Sequence, residues 1–272
     1  MASETRAVVA ALQGRQFTFA SERAWAAYWE QALAGAAERG ARLAVLSGSP
    51  GWDEVWEGPV AEAGQLARRY GLYLVADIGP QRDEDGRVFP CLHVFADDGS
   101  LVGAQRQIHL SREDRALMYS AGEELHVVDS PAGALGLVVG ADVRVPEVSR
   151  ALTLLGAEVL VHVGALRERS EGAWLARLWR EVQANQTFGI EAYPVGAGLV
   201  GRSCVLAPVE MTPGGRGVVA CAESADAEAV VAAELDFGAR AALTARYDIL
   251  AEMNLPLYRQ QLLSLYRKGS LP

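Results

Sequence analysis

Residues 138–147 read Val138-Val139-Gly140-Ala141-Asp142-Val143-Arg144-Val145-Pro146-Glu147, and this stretch decides the fold. Residues 134–140 form an apolar run that reads as a strand. Asp142 and Arg144 follow in a polar turn, and Pro146-Glu147 opens a helix, a place where proline fits the first turn. Gly140 stands where the strand gives way to the turn, and it offers no side chain for chemistry.

The stretch resembles the nucleophile elbow of the nitrilase, or carbon–nitrogen hydrolase, superfamily. That elbow reads apolar residues, then Cys, any residue, Asp, any residue, Arg, an aromatic, Pro and Glu. Asp142, Arg144, Pro146 and Glu147 match, and Gly140 takes the place of the Cys. The superfamily's general base is a Glu directly after the first core strand, in a segment similar to A-D-L-I-V-F-P-E. Here Ala41 to Gly48 read A-R-L-A-V-L-S-G, so Gly48 replaces the Glu. Its Lys lies in a segment similar to Y-R-K-I-H-L. Here Gln105 to Leu110 read Q-R-Q-I-H-L, so Gln107 replaces the Lys.

Further matches follow in order. Arg150 and the run L-L-G-A-E-V-L-V, then Asn185-Gln186 with Ala184 in place of a Glu, then Gly201-Arg202-Ser203 with Pro208, resemble the superfamily's later motifs. Leu235-Asp236, Arg246 and Leu257-Tyr258 resemble its closing pattern. Each match alone is weak, and their order is what carries the resemblance. It implies an α/β fold, a four-layer α-β-β-α sandwich with two six-stranded sheets. It also implies one domain over residues 1–258 and a C-terminal tail over 259–272, which either crosses to a partner subunit or frays.

The chemistry gives the three replacements their weight. Thiol attack needs a thiolate, which a neighbouring base or cation generates or stabilises. In the superfamily the Glu takes the proton, and the Lys ammonium helps to stabilise the tetrahedral oxyanion. Gln107 supplies a hydrogen bond but no charge, and Gly140 ends the covalent route. The favoured reading is a catalytically inactive homologue, a pseudoenzyme with a binding, regulatory or assembly role. The alternative is an active amide or nitrile hydrolase with relocated residues, using Asp53 or Glu54 and a water. A further reading makes the chain the partner of an active paralogue.

The resemblance supplies ligand-binding candidates around the elbow: Glu113, Ala141, Arg144 and His162. Glu113 matches an auxiliary Glu that some members carry after the Lys motif. His162 is expected near the end of the strand V-L-V-H-V, facing the pocket mouth. Asp142, Arg144 and Glu147 are expected to shape the elbow, with a buried salt bridge for at least one pair. His109 is expected as a hydrogen-bonded core histidine. Four scattered histidines show no metal-ligand spacing, so no metal and no cofactor are expected.

Half of the residues are hydrophobic and 22% are charged, enough for a large core. The net charge of −9, from 25 basic and 34 acidic residues, opposes nonspecific attraction to nucleic acid or anionic lipid. No apolar run approaches the roughly 18 residues of a membrane span. The opening residues M-A-S-E-T-R-A lack the order of a signal peptide, so the cytoplasm is the expected compartment. Three cysteines, Cys91, Cys204 and Cys221, form no framework and read as reduced thiols. A homodimer or larger assembly is expected, with a small-molecule ligand or an active paralogue as further partners.

Periodicity predicts a helix over 24–39 capped by Ser21, a helix over 54–70, and a strand over 72–76. It predicts strands over 88–96 and 101–108 joined at Asp97-Asp98-Gly99-Ser100, and a strand pair over 125–129 and 134–140. A helix follows Pro146, then a strand over 158–163, a helix over 172–187, and strands near 190–195, 202–207 and 228–235. Residues 209–227 read as a surface hairpin or loop.

Overall fold

The computed structural model describes residues 5–16, 18–48 and 60–262. Asp53, Glu54, the start of the 54–70 helix and most of the 259–272 tail lie outside the described residues. Strands run β1 Arg6–Gln13, β2 Ala41–Leu46, β3 Tyr73–Ala76, β4 Gln81–Arg82, β5 Val88–Phe89, β6 Cys91–Phe95 and β7 Leu101–Arg106. They continue as β8 Val127–Val128, β9 Leu135–Val139, β10 Val159–Val163, β11 Phe188–Ala192, β12 Cys204–Leu206, β13 Val218–Cys221 and β14 Ala229–Asp236. Helices are α1 Glu22–Glu38, α2 Val60–Tyr70, α3 Arg112–Ala116, α4 Pro146–Leu154, α5 Glu171–Leu175, α6 Leu178–Asn185 and α7 Phe237–Arg246.

Two six-stranded sheets form, in the orders β14-β1-β2-β3-β6-β7 and β13-β12-β11-β10-β9-β8. Side-chain alternation assigns each strand's two faces. Val9, Ala11, Leu43 and Val45 meet Leu135, Leu137, Val159 and Val161 between the sheets. The alternate residues Ala10, Leu12, Ala44 and Leu46 pack under Trp25, Trp29 and Leu33 of α1 and Leu66 of α2. On the far side, Val138 and Leu160 pack under Val148 and Leu152 of α4 and Leu178 and Val182 of α6. The molecule is therefore the four-layer α-β-β-α sandwich. Burying both faces of a strand removes much apolar area from water, about 1.5–3 kcal/mol per large aliphatic side chain.

Several local expectations hold. Ser21 Oγ accepts from Ala24 N–H and caps α1. Asp97 to Ser100 turn the chain between β6 and β7, closed by Ala96 N–H to Ser100 O at 2.8 Å. Pro90 divides the expected strand over 88–96 into β5 and β6, because proline cannot donate to a ladder. The expected helix over 172–187 is two helices. It breaks at Arg177, whose φ of −109° and ψ of −131° are not helical. Residues 209–227 contain the edge strand β13 as well as turns.

Candidate functional site

Strand β9 ends at Val139, and Gly140 to Arg144 make one 3-10 turn before Pro146 starts α4. Gly140 has φ of +50°, in the left-handed region that a side chain disfavours. Asp142 in this turn is fully buried. Its Oδ2 accepts from Ile108 N–H at 3.0 Å, and its Oδ1 from His109 N–H at 2.7 Å. Oδ1 also lies 3.1 Å from His109 Nδ1. Burial pushes the Asp142 carboxyl up, while the hydrogen bonds from Ile108 and His109 pull it back. The elbow and the segment after β7 are thus tied together by one carboxylate. The Asp142 carboxylate is held by His109 and the Ile108 N–H rather than by Arg144, which is exposed, so the buried salt bridge expected among Asp142, Arg144 and Glu147 is not what fixes Asp142.

That tie places Gln107 beside Gly140. The Gln107 side chain is 3% exposed, and its Nε2 donates to His109 O at 2.7 Å and to Asp114 Oδ2 at 2.8 Å. A Cβ on residue 140 would stand 2.9 Å from Gln107 Oε1. Gly48 has φ of +75°, and a Cβ there would stand 2.7 Å from Gln16 Oε1 and 3.2 Å from Pro194 Cβ. Gly48, Gln107 and Gly140 line one cavity of about 530 Å3. Three segments distant in sequence therefore converge on one space. Asp77, Asp114, Tyr119 and Arg167 line it as well.

None of the four ligand-binding candidates is among the described lining residues of this cavity. Glu113 is exposed, and its neighbour Asp114 takes the inward position, one step round the turn of α3. Ser111 to Asp114 form a capping box, with Asp114 Oδ2 accepting from Ser111 N–H at 2.7 Å, and this bond fixes which of the two acids turns inward. Arg144 is exposed at the end of the turn, and Ala141 is half-buried just past the cavity. His162 does not face the mouth. Strand parity turns Val161 and Val163 toward the inter-sheet side and sends His162 to the opposite face, where it is fully buried. There its Nε2 lies 3.1 Å from Gly140 O, and its Nδ1 lies 3.0 Å from Glu191 Oε1. The Tyr193 hydroxyl also donates to Glu191 Oε1. His162 thus supports the elbow from behind.

The thiols stand elsewhere. Cys91 and Cys204 are buried and Cys221 is exposed, and none lines the cavity. Burial, then the Asp77 charge, pushes the Cys91 thiol up to about 12. Burial, then Glu191, holds Cys204 well above the ordinary thiol value. Among the described residues, no group of three or more His, Cys, Asp and Glu side chains is placed to hold a metal ion.

A model of the Carbon-nitrogen hydrolase family matches residues 8–245. A deaminated glutathione amidase of Yersinia enterocolitica is 29% identical over 52% of this chain and 54% of its own length. The match thus spans about half of that relative. A chloroplastic omega-amidase of Arabidopsis thaliana is 26% identical over 88% of this chain and 68% of its own length. The crystal structure of a carbon-nitrogen hydrolase from Helicobacter pylori G27 superimposes with a TM-score of 0.78 at 22% identity. It covers 95% of this chain and 98% of that one.

Proposed function

The chain belongs to the carbon–nitrogen hydrolase family, and from that premise we propose that it is a catalytically inactive member with a binding, regulatory or assembly role. The observation that carries this reading is the Gln107 carboxamide, with Oε1 2.9 Å from the point where a Cβ on residue 140 would lie. The amide oxygen crowds the first carbon of any side chain at residue 140, so a nucleophile there needs Gln107 to give way and to break its bonds to His109 and Asp114. Gly48, Gln107 and Gly140 bring no carboxylate, ammonium or thiol to the cavity, and each thiol of the chain lies outside it. Both amide hydrogens of Gln107 are spent on His109 O and Asp114 Oδ2, so it offers the cavity neither a donor nor a charge for an oxyanion, and losing members of a cooperative catalytic unit costs orders of magnitude in rate.

The same reading extends to assembly and setting. Residues 1–258 act as one unit, as a homodimer or larger, with a small molecule in the cavity or an active paralogue as partner. The cytoplasm is the proposed compartment. The net charge of −9 speaks against nucleic acid and anionic membranes as partners. No helix among the described residues is long and apolar enough to cross a membrane.

The test is an assay of the purified protein against the amide substrates of omega-amidase and deaminated glutathione amidase, with nitriles and N-carbamoyl compounds added. No turnover is expected, and no acyl adduct on any cysteine by mass spectrometry. Turnover that survives purification and disappears in Cys91→Ala would sink the reading and locate a relocated nucleophile. Turnover lost instead in Asp53→Asn or Glu54→Gln would establish the water-based alternative.

A further inference from the structure

The second sheet ends in the antiparallel strands β12 and β13, with β13 at its edge. Their register sets Cys204 directly opposite Cys221. The next pair along, Ser203 and Ala222, carries a ladder bond, Ala222 N–H to Ser203 O at 2.9 Å. Bonded and unbonded pairs alternate along an antiparallel ladder, so Cys204 and Cys221 are an unbonded pair, with Cα atoms about 4.5 Å apart. That separation lies within the roughly 4.4–6.8 Å that a disulfide spans.

The two side chains share a face. Cys204 packs with Leu178, Val182 and Leu206 on the helix side of the sheet. Ala220 and Ala222 flank Cys221 and pack toward the other sheet, so alternation turns Cys221 to the helix side with Cys204. Burial, then Glu191, then Cys221 itself raise the Cys204 thiol, which shows the two sulfurs acting on each other. Their access differs: Cys204 is fully buried, and Cys221 is exposed. Cys91 lies in β6 of the first sheet, opposite Arg106, and is no rival partner for either thiol.

We propose that Cys204 and Cys221 are a redox pair, which a small-molecule disulfide such as glutathione disulfide closes to an intrachain disulfide and excess thiol reopens. The Cys221 thiolate attacks one sulfur of the oxidant, breaks its S–S bond and releases one thiolate. Cys204 then gives up its proton and attacks Cys221 Sγ. That step forms the Cys204–Cys221 bond and releases the second thiolate. The protein loses two electrons and the oxidant gains them, and the two cysteine protons end on the two released thiols. Cys204 Sγ donates to Glu191 Oε2 at 3.9 Å, so a base for its proton is at hand.

Burial raises the Cys221 thiol above its ordinary value, although Arg202 opposes the shift. Little thiolate exists at neutral pH, and closure is slow there. In the proposed cytoplasmic setting the open dithiol is the resting state. Closing the bond draws the Cβ atoms from about 4.5–5.5 Å to about 3.8 Å, and strained or exposed disulfides are the readily reduced ones. Closure also takes the thiol hydrogen of Cys204 away from Glu191, whose Oε1 faces His162 behind Gly140. The register that pairs the thiols is independent of whether the cavity performs hydrolysis.

The test incubates the purified full chain with glutathione disulfide and reads trapped samples by intact mass and by non-reducing peptide mapping. The expected product has lost two hydrogens and carries a Cys204–Cys221 crosslink. Its rate of formation should rise about tenfold from pH 7 to pH 8 with the thiolate fraction. Excess reduced glutathione should return it to the dithiol. Cys221→Ser, at the exposed edge, should give no crosslink, and Cys91→Ser should react as the natural chain does. Cys204→Ala should stop at a glutathione adduct on Cys221. Should that variant not fold, the natural chain and Cys221→Ser still decide.

A glutathione adduct that persists on Cys221 of the natural chain overturns the proposal, because Cys204 then does not reach it. So does a crosslink through Cys91 or between chains, and so does an absence of crosslink after a day at about pH 8.5. A crosslink that withstands excess reduced glutathione overturns the reversible switch.

Discussion

At Gly140 the backbone and the cavity make the same demand. The φ of +50° disfavours any residue with a Cβ, and the Gln107 amide closes the space from the other side. Gly140→Cys is therefore expected to destabilise the fold by about 1–3 kcal/mol through backbone strain, and to restore no turnover. Adding Gly48→Glu and Gln107→Lys rebuilds three reactive groups, but it desolvates two charges and presses a new Cβ at position 48 against Gln16 and Pro194. The triple variant should melt below Gly140→Cys in a thermal unfolding scan. A rise in melting temperature for Gly140→Cys would refute the strain argument, and turnover from that variant alone would refute the roles given to positions 48 and 107. The three cavity positions were legible because motif neighbours such as Asp142, His109 and Leu46 frame them in sequence. The surrounding candidates were not. Glu113 and Asp114 differ by one step of a helix, and only the capping bond of Ser111 tells which one turns inward.

At the scale of elements, strand β6 shows what sequence periodicity conveys and what it omits. All five residues Cys91–Phe95 are buried, because β3 and β7 flank the strand and both of its faces are covered. Leu92 and Val94 face the other sheet, and Phe95 faces the helices with His93. Such a strand reads as a continuous apolar run, and its histidine looks incidental. The ring of His93 is 5% exposed, its Nδ1 meets no partner among the described residues, and burial pulls it down from 6.5 to about 4. A histidine held below its unfolded value favours the native state above the unfolded pKa and loses that advantage as pH falls. Stability should therefore drop as pH falls from 6.5 to about 4, by at most about 3 kcal/mol from this group. His93→Leu should flatten that part of a urea-melt pH series; an unchanged slope would assign the acid limb to other groups. The division of the 172–187 helix escaped periodicity for a related reason. Trp174, Leu178 and Val182 keep helical spacing across the break, so the apolar pattern passes through Arg177 unmarked.

At the scale of the whole molecule, two layers of helix cover the sheets unequally. The helices α1 and α2 close one side with Trp25, Trp29, Leu33 and Leu66. On the other side α4 buries Val148 and Leu152 but ends in Leu154 and Leu155, which are 55% and 58% exposed. Adjacent leucines left in water at the end of a core helix suit a two-fold contact, in which the same patch meets itself. A stable interface of this kind buries about 800 Å2 per partner, more than two leucines supply, so the neighbouring surface of α5 and α6 is expected to share in it. The purified protein should run as a homodimer or larger by multi-angle light scattering at micromolar concentration. Leu154→Glu combined with Leu155→Glu should shift it toward monomer while leaving its circular dichroism spectrum intact, since neither side chain belongs to the core under α4. A wild-type monomer would remove self-assembly from the proposed roles. A dimer that withstands both substitutions would place the contact elsewhere, with the exposed Leu257 and Tyr258 near the C-terminal end as the next surface to change.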